Sequence, residues 1–161
     1  MSKGVHSKKK MMDRTHYYTM YDLCDEAVDQ YENGNSLLVL RLMARAANLG
    51  HQGAQYFVSV FGREGLVPDP DTINEVLTRD TDNPWAIVWK ARFSLFSSDE
   101  EAMALLLRAA ELGVADACYI LLNRYGDMIT VDQYELFIQK LSAMKYPPAM
   151  FHVLDLASNG H

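Results

Sequence analysis

The chain has 161 residues, of which 49% are hydrophobic and 22% charged, with a net charge of −6. That length suits one domain with a real core, and that balance excludes an intrinsically disordered chain, which combines low hydrophobicity with high net charge. No apolar run approaches the roughly 20 residues that span a bilayer as a helix, and the basic start MSKGVHSKKKMM has no apolar stretch behind it, so neither a membrane span nor a secretory signal is expected and the expected location is the cytoplasm.

Residues 1–14 carry Lys3, Lys8, Lys9, Lys10 and Arg14 against Asp13, a net +4 that leaves −10 for the rest of the chain. Residues 1–12 read as a flexible basic tail, and residues 13–161 as a single domain. An acidic body argues against a nucleic-acid groove, because phosphates are held by clustered Lys and Arg.

Helical signals then follow one another along the chain. The first helix, 13–32, has an apolar stripe of Tyr17, Met20, Tyr21, Cys24, Ala27, Val28 and Tyr31. Its other side carries Asp22, Asp25, Glu26, Asp29 and Glu32, spaced so that most share one face. Such a strip is either a solvated capping face at the end of an array or a dock for a basic partner. Helices at 36–49 and 52–62 come next, the first closed by Leu49-Gly50. Asp69-Pro70 opens a helix over 70–79 and Asn83-Pro84 another over 84–96, each pairing an N-cap with proline at the first helical position. Trp85 and Trp89 lie one turn apart in the latter; Trp85, at the helix start, is the one placed to be exposed and to contact a partner. Helices at 99–112, 115–125, 131–144 and 147–158 complete the series, with Leu112-Gly113 closing the first of these. Capping boxes are expected at Thr72 with Glu75, Ser98 with Glu101, and Thr130 with Gln133. Linkers this short force neighbouring helices to pack antiparallel, as helical hairpins.

The chain also repeats itself. Arg45-Ala46-Ala47-Asn48-Leu49-Gly50, continuing to Ala54 and Tyr56, lies over Arg108-Ala109-Ala110-Glu111-Leu112-Gly113, continuing to Ala117 and Tyr119, 63 residues later. Ala86 falls 32 residues after Ala54, and Ala149 falls 32 after Ala117, which marks two fainter units between and beyond. Small residues let two helix backbones approach closely, so these alanines belong at the contact within each pair, and stacked pairs then create the core.

These residues resemble the Sel1-like repeat, a helix-turn-helix unit related in shape to tetratricopeptide repeats. The two strong units cover roughly 37–69 and 100–127; the unit around Trp85 lacks the Ala-Ala and glycine of its first helix, and the last has Lys145 where glycine is expected. The resemblance implies an all-α fold: a right-handed α/α solenoid of about four helix-turn-helix repeats plus an N-terminal helix, presenting a concave surface to a partner, a design frequent in bacterial proteins. It carries over no catalytic residue, because the matching positions serve packing and turns.

No arrangement for catalysis or for a cofactor stands out. The histidines are His6, His16, His51, His152 and His161, scattered and without an H-x-x-x-H pair; Cys24 and Cys118 form no C-x-x-C and read as reduced, buried thiols. Asp80-x-Asp82-Asn83 lacks the glycine and glutamate of a calcium loop. The expected function is therefore non-catalytic binding of a protein partner, as adaptor or inhibitor, with Asp22, Asp25, Glu26, Asp29 and Trp85 as the contact residues. An alternative within that class is an immunity-type protein that neutralises a cognate toxin. A homodimer through the final repeat, which ends at Gly160-His161 without an evident capping helix, is a further expectation.

Overall fold

The structure, a computed structural model, describes residues 19–149. Among the described residues every regular element is helical. Helix α1 is described over 19–32 and is followed by α2 (Ser36–Asn48), α3 (Gln52–Glu64), α4 (Pro70–Arg79), α5 (Pro84–Arg92), α6 (Asp99–Glu111), α7 (Ala115–Tyr125) and α8 (Val131–Met144), then by a short 3₁₀ turn, Pro147–Ala149. No helix among them is long and apolar enough to cross a membrane. The chain divides into two compact units, 1–73 and 74–161. Residues 13–18 and 150–158 of the expected terminal helices lie outside the described residues.

In the first unit α2 packs on α3. Val39, Leu42, Met43 and Ala46 of α2 are buried, as are Ala54, Phe57 and Phe61 of α3, with the two phenyl rings stacked at 4.4 Å. The spacing of i, i+3, i+4, i+7 in α2 and of i, i+3, i+7 in α3 explains why a single face of each helix is covered. Gln55 Nε2 donates to the Ala47 carbonyl at 3.1 Å, tying the two helices across their turn.

In the second unit α5 packs on α6, α6 on α7, and α7 on α8. α5 buries Ala86, Ile87, Val88, Trp89 and Ala91, so this short helix is covered nearly all round. Trp89 is fully buried and stacks on Phe93 at 5.7 Å. α6 buries Ala102, Leu106, Ala109 and Ala110, and α7, packed on it, buries Ala117, Cys118 and Leu121, so small residues are prominent in both buried sets.

The helix ends share one device. At the end of α2 the Gly50 N–H donates to the Ala47 carbonyl and the His51 N–H to the Ala46 carbonyl. Gly113 and Val114 do the same to Ala110 and Ala109 of α6. This paired pattern satisfies carbonyls that would otherwise lack a partner, and it needs a left-handed residue at the turn. Gly50 and Gly113, at φ 105° and 92°, supply it, as the sequence predicted.

Two helix ends turn left-handed on a residue other than glycine. The helix expected over 84–96 stops at Arg92, because Ser94 takes φ 57° and sends its N–H to Ala91 and that of Leu95 to Lys90. At the end of α8, Lys145 adopts φ 53° and ψ 46° in the place where glycine is expected, with Lys145 and Tyr146 N–H bound to Ser142 and Leu141. Both residues pay the Cβ penalty of the left-handed region.

The starts differ from expectation as well. Of the three expected boxes, only Thr130 with Gln133 closes fully, with bonds of 3.1 and 2.9 Å. Ser98 Oγ accepts from the Glu101 N–H, but the Glu101 carboxylate takes the Ser97 hydroxyl at 2.8 Å instead of reaching back. The expected Thr72–Glu75 box is absent because Thr72 already lies inside α4; Asp69 caps that helix by accepting from the Thr72 N–H at 2.9 Å. That bond, together with the Thr72 hydroxyl, holds the Asp69 carboxyl below its ordinary range.

Candidate binding surface

Helix α1 is divided lengthwise by its residue pattern. Met20, Leu23, Cys24 and Ala27 are buried, which fixes the orientation of the helix in the first unit. Asp22, Asp25, Glu26 and Asp29 are all exposed, on the side the spacing assigned them. Gln30 Nε2 donates to Glu26 Oε1 at 2.8 Å and Gln30 Oε1 accepts from Asn35 Nδ2 at 2.6 Å, so one end of the strip is braced to the turn before α2. Tyr31, at the same end, has its hydroxyl pKa raised by burial and then by the carboxylates of Asp71 and Glu32. The geometry brings four carboxylates onto one solvated face. Such a face attracts cations, and its field is screened beyond roughly 8 Å at physiological salt.

Trp85 belongs to the second unit and is half-buried; its backbone N–H donates to Asn83 Oδ1 at 2.8 Å, the N-cap bond that opens α5. The structure therefore gathers the four acidic residues on one face of α1, and Trp85 stands at the start of α5 in the second unit. Trp89, one turn on, is a core residue with the Arg92 guanidinium 5.4 Å from its ring.

Other groups escaped the sequence reading. His51, one of several histidines scattered along the sequence, is buried and caps α3 through Nδ1, which accepts from the Ala54 N–H at 3.0 Å. That bond leaves the ring proton on Nε2, and the Tyr21 ring meets the imidazole edge-on at 5.1 Å. A His-x-x-Ala start with no Ser, Thr, Asn or Asp in the cap position gave no signal for this role. In the second unit Arg124 Nη1 donates to the Ala91 carbonyl at 2.6 Å, at the mouth of a cleft of about 280 Å³ lined also by Ser94, Ser98, Asp99 and Tyr125. Burial, reinforced by Asp99 and opposed by Arg124, raises the Tyr125 hydroxyl pKa. In the first unit a more open cleft of about 660 Å³ lies over the start of α2, lined by Gly34, Asn35, Ser36, Leu37, Leu38 and Arg41.

Among the described residues no three His, Cys, Asp or Glu side chains are gathered to hold a metal ion. Cys24 and Cys118 are buried thiols in separate units, and burial raises the Cys118 pKa. Compared with family models, curated proteins and solved structures, the chain finds no match.

Proposed function

We propose that the chain is a non-catalytic protein-binding module of the Sel1-like repeat type, a right-handed α/α solenoid of about four helix pairs with α1 in front, and that α1 docks a basic segment of its partner. The observation that carries the reading is the exposure of Asp22, Asp25, Glu26 and Asp29 on one face of α1, while the opposite face is locked into the core. Like charges three and four residues apart on one helix face repel one another, and a cationic partner would relieve that repulsion. The repeat reading is supported by the matched hairpins α2–α3 and α6–α7, with buried alanines at Ala46, Ala54, Ala109 and Ala117 and left-handed glycines at Gly50 and Gly113.

The test is affinity capture with the tagged chain and with a variant carrying Asp25→Lys, Glu26→Lys and Asp29→Lys. A single dominant partner, lost in the variant and weakened by salt, is the expected result. A partner retained by the variant moves the contact to Trp85, to be checked with Trp85→Ala. Capture of nothing by either protein would refute the proposed function.

A further inference from the structure

The internal repeat supplies a control for reading one exposed patch. The start of α6 is what folding alone asks of such a position: Ser98 caps the helix, and Asp99, Glu100 and Glu101 fill its first turn, all exposed. Acidic residues there complement the positive end of the helix dipole. The start of α2 lies 63 residues earlier and is built differently. Asn35 takes the cap position without a side-chain cap bond, its amide being directed to Gln30, and the first turn holds no acid. Ser36, Leu37 and Leu38 stand where the later hairpin has Asp99, Glu100 and Glu101, and Arg41 stands in place of Ala104. Leu37 is 65% exposed and Leu38 39% exposed, so neither leucine is there to build the core. Leu37, Leu38 and Arg41 sit three and four residues apart on one helix face, over the cleft of about 660 Å³.

We infer that this cleft at the start of α2 is a docking site for a partner segment that pairs an apolar side chain with a carboxylate. The two leucines cover the apolar group and exclude water from it. Arg41 takes the carboxylate in two parallel N–H···O bonds, a geometry its planar guanidinium favours. Charge selects the occupant: the positive end of α2 and Arg41 repel a basic segment, so this site and the acidic face of α1 accept opposite kinds of sequence. The inference rests on the protein-binding reading above and specifies a second contact within the same unit.

The test uses the isotope-labelled full chain and capped nonapeptides containing three Leu-Glu pairs, with Ser-Glu and Leu-Lys peptides as controls. The Leu-Glu peptide is expected to shift the amide resonances of Ser36–Arg41 and to bind at least tenfold more tightly than either control. In the variant Leu37→Glu/Leu38→Glu, which installs the residues the second hairpin already carries, circular dichroism should be unchanged and binding should fall at least tenfold. In the charge-reversed α1 variant the same peptide should bind as it does to the parent chain. Equal binding to the parent and the Leu37→Glu/Leu38→Glu variant, or no peptide shifting 36–41, overturns the inference. If either occurs while the parent chain still captures a partner through α1, this site alone has failed; if nothing is captured, both readings have.

Discussion

Replacing Gly113 with alanine isolates the backbone term at a helix end. At φ 92° the residue sits where a Cβ is penalised, yet a Cβ built there meets no heavy atom within 4 Å. Any loss of stability therefore comes from conformation and not from a clash. A left-handed L-residue costs roughly 1–2 kcal/mol. Removing glycine from the unfolded chain returns about 0.4–1 kcal/mol, so the net expectation is a loss of about 1 kcal/mol. Gly62 is the matched control: it lies inside α3, is exposed, and its nearest neighbour to an added Cβ is Val58 Cγ1 at 3.9 Å. There the same substitution relieves an interior helical glycine and should stabilise by about 0.5–1 kcal/mol. Thermal unfolding followed by circular dichroism should lower the midpoint for Gly113→Ala and raise it for Gly62→Ala, by about 2–4 °C per kcal/mol in a chain of this size. Shifts of the same sign in both variants would refute the assignment of Gly113 as a left-handed cap and Gly62 as a plain helical residue.

Three further outcomes follow from the same geometry. Lys145→Gly should stabilise the chain by about 0.5–1 kcal/mol, measured by urea denaturation, because glycine takes φ 53° without the Cβ penalty. Gly126→Ala should destabilise by about 1–3 kcal/mol, since the added methyl would stand 2.7 Å from the Leu122 carbonyl and 3.3 Å from the Tyr134 ring; a neutral result in the same titration would mean that the end of α7 yields easily. Alkali should weaken the fold: Tyr31, Cys118 and Tyr125 all have raised pKa values, so the unfolded chain releases these protons first. Their contribution is intact below the unfolded values, about 8.5 for cysteine and 10 for tyrosine, and is lost as pH rises past them. A denaturation midpoint that holds level from pH 8 to 11 would contradict this, and Tyr31→Phe with Tyr125→Phe should flatten the upper part of the decline.

The second hairpin shows how far local chemistry carries. Glycine after Leu112, serine before Asp99 and proline after Asn83 each mark a helix end by a property of that residue alone, and each end falls where the marker stands. The acidic face of α1 was legible for the same reason, since charge and a period of 3.6 residues fix which side is wet. Thr72 with Glu75 has the spacing of a capping box and fails as one, because Asp69 sits three residues earlier and reaches the Thr72 N–H first. Spacing alone cannot rank two competing caps.

Ser94 and Lys145 carry no local mark of a left-handed turn, and what places them there is the packing around them. Phe93 is buried against Trp89, and Leu95 is half-buried, so the chain turns at Ser94 between them. Tyr146 is buried beside Tyr119 of α7, with ring centroids 5.7 Å apart, which draws the chain back at Lys145. His51 became a cap because its buried ring can accept from Ala54, and Leu37 and Leu38 became surface because no helix described in the first unit covers them. The amino-acid sequence by itself determined the helices, their amphipathic faces and the glycine-marked turns, all of which depend on neighbours within a few residues. Tertiary structure decided which leucines stay wet, which histidine is buried and which non-glycine residues bear a left-handed backbone, because burial is settled by distant segments that no local pattern records.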